Sequence, residues 1–430
     1  MSFNKKTVRD VTVKDKRVLV RVDYNVPLDE KGRITDDYRI KKSLPTIEYL
    51  LKQNAKVILC SHLGRPGGKP DNKYSLKPCA KRLEKLLGKP VDFVDDCVGP
   101  AVKTKVDALQ SGGILMLENV RFHAEEEAND PTFAKELASY AQVFVQDAFG
   151  VVHHPAVSVS ELPKYLPGVA GFLLEKEVNT ITDVMEKPAR PLVAVIGGAK
   201  ISDKIDMLKR FIDIADFVAV GGAMANTFLL AEGIKVGKSL AEREEVPLAR
   251  EIIQHARAKA KTHRFIFYLP QDAVVATDIY HPLFTRIVDW DAHVVAAIQD
   301  YPKRPPRSSE RVLSSEMILD IGPFSGAFIA GGIQLANTVI WNGALGVTET
   351  PGYGSPVGPF AHGTELLVDA MLGEFGHKPF TVVGGGDTVG YVEARKLTDY
   401  FNHVSTGGGA SLELMSGKRL PGVEALQDKK

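Results

Sequence analysis

The chain has 430 residues, room for two or three domains, and its 54 Lys and Arg against 53 Asp and Glu leave a formal net charge of +1. With 44% hydrophobic and 25% charged residues it has the balance of an ordinary globular protein with its own core, and the near-neutral total argues against a globally basic nucleic-acid binder. Cys60, Cys79 and Cys97 form no CxxC pair, MSFNKKTVRD has no apolar stretch behind its charges, and no uncharged apolar run approaches the ~20 residues of a membrane helix. The expectation is a cytoplasmic protein with no disulfide framework, no membrane and no nucleic-acid partner.

Along the chain, short β-branched runs end in Gly, Asn or Asp and are followed by helical periodicity. Strands are predicted at Arg17–Val22, Lys56–Cys60, Gly113–Leu117 and Gln142–Gln146, then at Leu192–Ile196, Phe217–Val220, Phe265–Leu269, Val339–Trp341, Phe380–Val383 and His403–Ser405. Most are apolar at consecutive positions, the pattern of strands covered on both faces. Between them, Ile40, Leu44, Ile47 and Leu51 share one helix face, with Pro45 inside, and Ile205, Leu208, Phe211 and Ile212 share another, which Ser202 or Asp203 would cap. Strands alternating with helices imply right-handed βαβ units and parallel sheets. Ten strands are too many for one sheet. The seam is placed at Glu161–Pro191, where prolines flank a helix running from about Gly171 to Met185, and a loop is expected at Tyr301–Ser309, YPKRPPRSS.

Two groups of residues carry chemistry. Arg21, Arg39, His62, Arg65 and Arg121 lie at or just after strand ends or open the next helix. A lone arginine is ordinarily a solvated surface residue. In an open parallel sheet, though, ligands bind beyond the carboxyl ends of the strands, and cations crowded there are stable together only around a multiply anionic guest. Guanidinium forks suit phosphate and carboxylate. In the second half, Gly197-Gly198, Gly221-Gly222, Gly384-Gly385-Gly386-Asp387-Thr388 and Gly407-Gly408-Gly409 follow strands. Any one is a tight turn; several together suggest a nucleotide phosphate cradle, with Asp387 available to a bridging Mg²⁺. Lys200 and Lys204 fall in the first turn of the next helix, where the positive dipole disfavours lysine, so either they are solvent-exposed or an anion is held between them, and the glycines before them favour the anion. GIKVGKS at Gly233–Ser239 lacks Walker A spacing, and no GxGxxG follows a strand. His153 and His154, being adjacent, cannot share a helix face for one ion, and no cysteines or carboxylates at ligand spacing suggest zinc.

RVDYNVP, ITDDYRI, SHLGRP, LMLENVRF, QDAFG, VIGGAKISDKI, WNGALGV, VGGGDT and VSTGGGASLEL occur in the order found in the phosphoglycerate kinase family, and the sequence resembles that family essentially end to end, including the closing KRLPGVEAL. The resemblance implies an α/β fold of two doubly wound, Rossmann-like parallel-sheet domains facing across a hinged cleft. These would be a phosphoglycerate-binding domain over 1–170 with the tail 412–430 returning to it, an interdomain helix over 171–190, and a nucleotide domain over 191–411. It implies a monomeric phosphotransferase acting on a carboxyl group in glycolysis: 1,3-bisphosphoglycerate and ADP to 3-phosphoglycerate and ATP, with Mg²⁺. By motif position, Asp23, Tyr24, Asn25, Arg39, His62, Leu63, Gly64, Arg65, Arg121 and His154 would hold phosphoglycerate. Lys200, Lys204, Asn342, Glu349, Gly385, Gly386, Asp387 and Thr388 would hold nucleotide, with Glu349 by the ribose and Asp387 by the metal. Arg39 and Lys200 would neutralise the phosphoryl group in flight. The chain departs from the family in Tyr24, Gln146, Ala344 and Ala156, and above all in His154, which stands where the family has a substrate-binding arginine. That departure keeps two rivals in view, a catalytically weakened relative and a nucleotide-binding scaffold.

Overall fold

A computed structural model describes residues 3–280, 284–290, 311–352, 354–355 and 357–429; the predicted loop at Tyr301–Ser309 lies outside them. They fall into two compact units. One comprises Met1–Thr182, Gly409–Leu414 and Lys418–Lys430, the other Asp183–Gly408 and Met415–Gly417.

The first unit is built on a six-stranded sheet: β1 (Arg17–Arg21), β2 (Lys56–Cys60), β3 (Asp92–Val94), β4 (Ile114–Leu117), β5 (Val143–Gln146) and β6 (Gly168–Ala170). The order is β3-β4-β2-β1-β5-β6, and every pairing is parallel. The chain winds from β1 outward to one edge and then to the other, so β1 and β2 are central and buried on both faces. Valines and leucines of β1 and β2 share a core with Ile40, Ile47 and Leu51 of the expected stripe on the helix Tyr38–Lys52, joined by Leu50, with Leu44 only partly buried and Pro45 on the exposed side. The C-terminal segment completes this unit. Lys6 N–H donates to the Gln427 carbonyl at 2.7 Å, Gln427 N–H to Gly168 at 3.0 Å and Gly422 N–H to Val152 at 2.9 Å.

The second unit repeats the plan with β7 (Leu192–Ile196), β8 (Phe217–Val220), β9 (Ile266–Tyr268), β10 (Asp272–Ala276), β11 (Thr285–Asp289), β12 (Met317–Ile321), β13 (Thr338–Asn342), β14 (Phe380–Gly384) and β15 (His403–Val404). Its parallel sheet has the order β15-β14-β13-β7-β8-β9, and a separate antiparallel sheet has the order β11-β10-β12. The ten predicted strands are all present within a residue or so of their expected ends. The antiparallel sheet and the edge strands β3 and β6 were not anticipated. The Gly233–Ser239 segment is a loop: Lys238 N–H donates to the Glu316 carbonyl, and Ser239 Oγ accepts from Ile318 N–H at 2.8 Å. No described helix is long and apolar enough to cross a membrane.

Phe144 in β5 is fully buried, beside Leu19 of β1 and Gly168 of β6. Phe144→Ala should therefore destabilise the first unit by about 3–5 kcal/mol through lost transfer energy and a residual cavity. The check is the denaturant midpoint of that unit's unfolding transition, and an unmoved midpoint refutes the packing described.

Candidate functional site

In the first unit, parallel pairing brings the carboxyl ends of β1, β2, β4 and β5 to one edge of the sheet, so that the segments carrying Asp23–Asn25, His62–Arg65, Arg121 and His153–His154 all leave from it. Asp23 is buried, accepts from Asn25 N–H at 3.1 Å and from Arg39 Nη1 at 2.6 Å, and lies 4.0 Å from His62 Nδ1. Burial works to raise the Asp23 carboxyl, but the cations around it, Arg39 foremost, outweigh burial and hold it below the usual range. Asn25 Oδ1 accepts from Gly64 N–H at 2.9 Å, and Arg121 Nη1 donates to the Gly64 carbonyl at 3.0 Å, which ties three predicted site segments into one rim. Leu63 is buried behind that rim, with its carbonyl held by Asn119 Nδ2 at 2.7 Å. Tyr24 is fully buried with its hydroxyl 2.8 Å from Ser43 Oγ, so its side chain packs in the core and only its backbone belongs to the rim. Arg65 is exposed at the mouth and Arg121 half-buried, its Nε 3.2 Å from Glu127; burial, with Arg21 and Arg65 nearby, lowers the Arg121 pKa.

Arg21 is not a mouth cation. It is 2% exposed and lies beneath the rim, its Nε donating to Ser158 Oγ at 2.8 Å, Nη1 to the Val22 carbonyl at 2.5 Å and Nη2 to His62 Nδ1 at 3.1 Å. A guanidinium has donors only, so His62 Nδ1 accepts and the imidazole proton is on Nε2. Burial, and next Arg21, drive the His62 pKa well below the imidazole range. Of the five residues grouped from the sequence, three therefore supply charge at the mouth: Arg39, Arg65 and Arg121. The His153 and His154 rings are in contact, with centroids 3.8 Å apart and planes tilted by 42°. His153 is half-buried, burial pushing its pKa down to about 4, while His154 is exposed.

In the second unit, β7, β8, β13 and β14 deliver their glycine-rich ends to one edge. Two kinds of glycine occur there. A Cβ at Gly222, whose φ is +65°, would sit 2.6 Å from the Gly198 backbone, so this glycine lets one loop lie on another. At Gly386, which opens the helix Gly386–Ala394, a Cβ would meet nothing within 4 Å, while a Cβ at Gly408 would sit 3.1 Å from the Gly386 amide nitrogen. Asp387 is exposed in its first turn, and Thr388 is buried with Oγ1 accepting from Gly343 N–H at 2.6 Å. Lys204 Nζ donates to the Gly197 carbonyl at 2.6 Å, Asn342 Oδ1 at 2.7 Å and the Asn342 carbonyl at 3.2 Å. Burial lowers the Lys204 pKa to about 8 against the opposing pull of Asp387 and Asp203. With its Oδ1 taken by Lys204, buried Asn342 Nδ2 has no partner, a donor left for a ligand. Lys200 and Lys204 do not share a helical turn as expected. A 3₁₀ turn, Ser202–Lys204, intervenes, the helix begins at Ile205, and exposed Lys200 precedes both. Neither Ser202 nor Asp203 caps that helix; Ser202 Oγ donates to Glu242 at 2.6 Å. Glu349 is exposed in the segment after β13.

The phosphoglycerate kinase family model matches residues 8–418. Phosphoglycerate kinases of Moorella thermoacetica and Chloroflexus aurantiacus are 48% and 47% identical over 426 and 428 residues, 99% of this chain and 100% of each relative. The solved phosphoglycerate kinase of Coxiella burnetii matches at 35% identity and a TM-score of 0.79, covering 98% of both chains, and that of Pyrococcus horikoshii at 29% and 0.78 with the same coverage. The chain belongs to the phosphoglycerate kinase family. As a phosphoglycerate kinase family member it is a kinase with a nucleotide co-substrate.

Sequence reasoning did not single out Ser158 and Glu126, which stand behind Arg21. Glu126 accepts from Ser158 N–H at 3.0 Å and Ser158 Oγ at 2.5 Å. Burial raises the Glu126 carboxyl while Arg21 pulls it back. In the sequence Glu126 sits in a run of three glutamates that reads as a solvated face.

Because a lysine loses its charge as pH rises, discharge of Lys204 near pH 8 should weaken the second unit's hold on anions. ADP affinity should fall between about pH 7.5 and about pH 9.5, a span over which the nucleotide's phosphates stay fully ionised, and Lys204→Arg should flatten that fall. Calorimetric titration at the two ends is the check; equal affinities in the parent protein would remove Lys204 from the phosphate site.

Proposed function

We propose that the chain catalyses reversible phosphoryl transfer from 1,3-bisphosphoglycerate to ADP, giving 3-phosphoglycerate and ATP, with phosphoglycerate on the first unit and nucleotide on the second. The observation that carries this reading is the rim at the strand ends of the first unit. Arg39, Arg65 and Arg121 offer guanidinium forks around an imidazole whose Nε2 proton is fixed by Arg21. Such a rim suits a small ligand bearing both carboxylate and phosphate. Asp23, Asn25 and Gly64 position the cations, and the Leu63 and Tyr24 backbones complete the wall. In the second unit, the helix start at Gly385–Thr388, which no side chain caps, Lys204, and the unpaired Asn342 Nδ2 fit a chain of phosphates, with the exposed Lys200 beside them and Glu349 assigned to the ribose.

The donor set also fits Mg²⁺. A single exposed carboxylate, Asp387, beside a phosphate cradle is the provision that ion needs when the substrate supplies its remaining oxygens. Bound there, Mg²⁺ would neutralise phosphate charge. The chain itself needs no nucleophile, because the carboxylate of 3-phosphoglycerate attacks the terminal phosphorus directly. The protein's part is to hold the two reactants in line and to stabilise charge on the transferring group with Arg39 and Lys200.

Purified protein should consume Mg·ATP only when 3-phosphoglycerate is present, in a coupled assay. Nucleotide binding without turnover at millimolar substrate would support the scaffold reading instead. Arg39→Ala should lower kcat on the order of 10²-fold, since the charge it meets develops during transfer. If KM alone rises, its assigned role is wrong.

His154 yields a separate expectation. The other two histidines near the rim are held neutral by burial, His62 far below the imidazole range and His153 at about 4. A guanidinium offers a permanent charge and a fixed fork of donors that suit phosphate, which an imidazole lacks. His154→Arg should therefore tighten 3-phosphoglycerate binding by roughly 1 kcal/mol and leave nucleotide affinity unchanged. Equal 3-phosphoglycerate affinities in the two proteins would mean that His154 does not touch the substrate.

A further inference from the structure

Asp96, Cys97 and His123 offer a carboxylate oxygen, a thiol and an imidazole nitrogen that all lie within 4.8 Å of one another, the one such grouping among the described residues. Asp96 and Cys97 follow β3, and His123 follows the short turn Val120–Phe122 after β4. The two strands are parallel neighbours, so both segments leave the same edge of the sheet. Twenty-five residues separate Cys97 from His123 in the chain, which is why no ligand spacing marks the cluster.

We propose that Asp96, Cys97 and His123 form a binding site for a zinc-class divalent cation. Cys97 is a free thiol, fully buried, and its Sγ is one of the three donor atoms that converge in the cluster. Asp96 and Glu126 surround that thiol with negative charge, and no basic residue is among the groups acting on it. Thiolate, carboxylate and neutral imidazole balance a 2+ ion to zero net charge, and this mixture of soft and borderline donors selects zinc over magnesium. Donors around tetrahedral zinc stand about 3.3–3.6 Å apart. His123 Nε2 and Asp96 Oδ1, now 2.7 Å apart, must open slightly and the thiol must close in. Asp96 is half-exposed, and its Oδ1 also accepts from Cys97 N–H at 2.7 Å, so the carboxylate must pivot about that bond while the buried Cys97 stays in place. On binding, the Cys97 S–H bond breaks, the proton passes to solvent, and the sulfur lone pair bonds the ion. The fourth position faces solvent on the Asp96 side. The site is distinct from the proposed Mg²⁺ position at Asp387, which lies on the other unit. Its ion would be tied to the turn that carries Arg121.

The test is Co²⁺ titration of the full-length, nucleotide-free protein, read by absorption. A thiolate-to-cobalt charge-transfer band with tetrahedral d–d bands should grow to one equivalent and be displaced by Zn²⁺. Cys97→Ser and His123→Gln should each abolish the band and weaken Zn²⁺ binding by at least about 10-fold, the loss that follows even from removing an outer-shell partner. His123 is on the surface side of the cluster, so His123→Gln decides the matter if Cys97→Ser does not fold. Absence of the band in the parent protein, or a band that survives either substitution, overturns the proposal.

Discussion

The first unit depends on burying one guanidinium. Placed at the end of a central strand and 2% exposed, Arg21 would be prohibitive as an isolated charge. Its donors are instead distributed to Ser158, to the Val22 carbonyl and to His62, with the Glu126 carboxyl behind Ser158. Each partner then acquires a fixed state. His62 must accept at Nδ1 and is therefore neutral, with Nε2–H available at the mouth. With His62 neutral, Asp23 stays anionic through Arg39 at 2.6 Å, and Arg39 is thereby aimed. A row of alternating partners thus runs from the core to the surface, and its outermost member, Arg39, is the one assigned to the ligand in the proposed reading. Reorganisation during reaction is small when the donors are already held in this way.

The second unit solves the opposite problem with dipoles. Lys204 is held by three oxygens of neutral groups, and no carboxylate is close enough to offset its burial, which is why its pKa comes down to about 8 where Asp23 stays acidic. The two sites therefore differ in their response to pH. The first is locked by paired charges and the second is tuned by desolvation. In the proposed reading, a phosphate at Lys204 would supply the negative charge that the protein withholds.

What the sequence revealed and what it hid follow from range. Strands covered on both faces announce themselves as apolar runs, so β1, β2, β7, β8 and the other central strands were legible, as were the motif-bearing loops after them. The edge strands β3 and β6 have three residues each, too few for any pattern, and Gly168 in β6 reads as a turn. The antiparallel strand β11 has four residues at least partly exposed out of five and therefore no apolar run. At the site, the residue types were legible but their depth was not. Arg21 and Arg39 look alike in a sequence, and only the partners contributed from Ser158 and Glu126, 137 residues and 105 residues along the chain, send one inward. The same limitation hid the Asp96, Cys97 and His123 cluster.

The helix N-termini show how the phosphate position is kept available. At four other helices, carboxylates or loop carbonyls take up the first N–H groups. Asp147 accepts from Leu173 and Leu174 at 2.9 and 3.2 Å, and burial raises its pKa to about 7. Asp272 accepts from Phe324 and Ser325 at 2.9 and 2.8 Å, and Asp320 accepts from Gly363 at 2.9 Å. The helix starting at Gly222 is closed by the carbonyls of Leu345 and Gly198. No side chain caps the helix Gly386–Ala394. Unsatisfied N–H groups and the dipole of a helix start attract an anion wherever nothing already fills the place. The absence of a side-chain cap there, close to Asn342, is what makes this helix start suit a phosphate under the proposed reading.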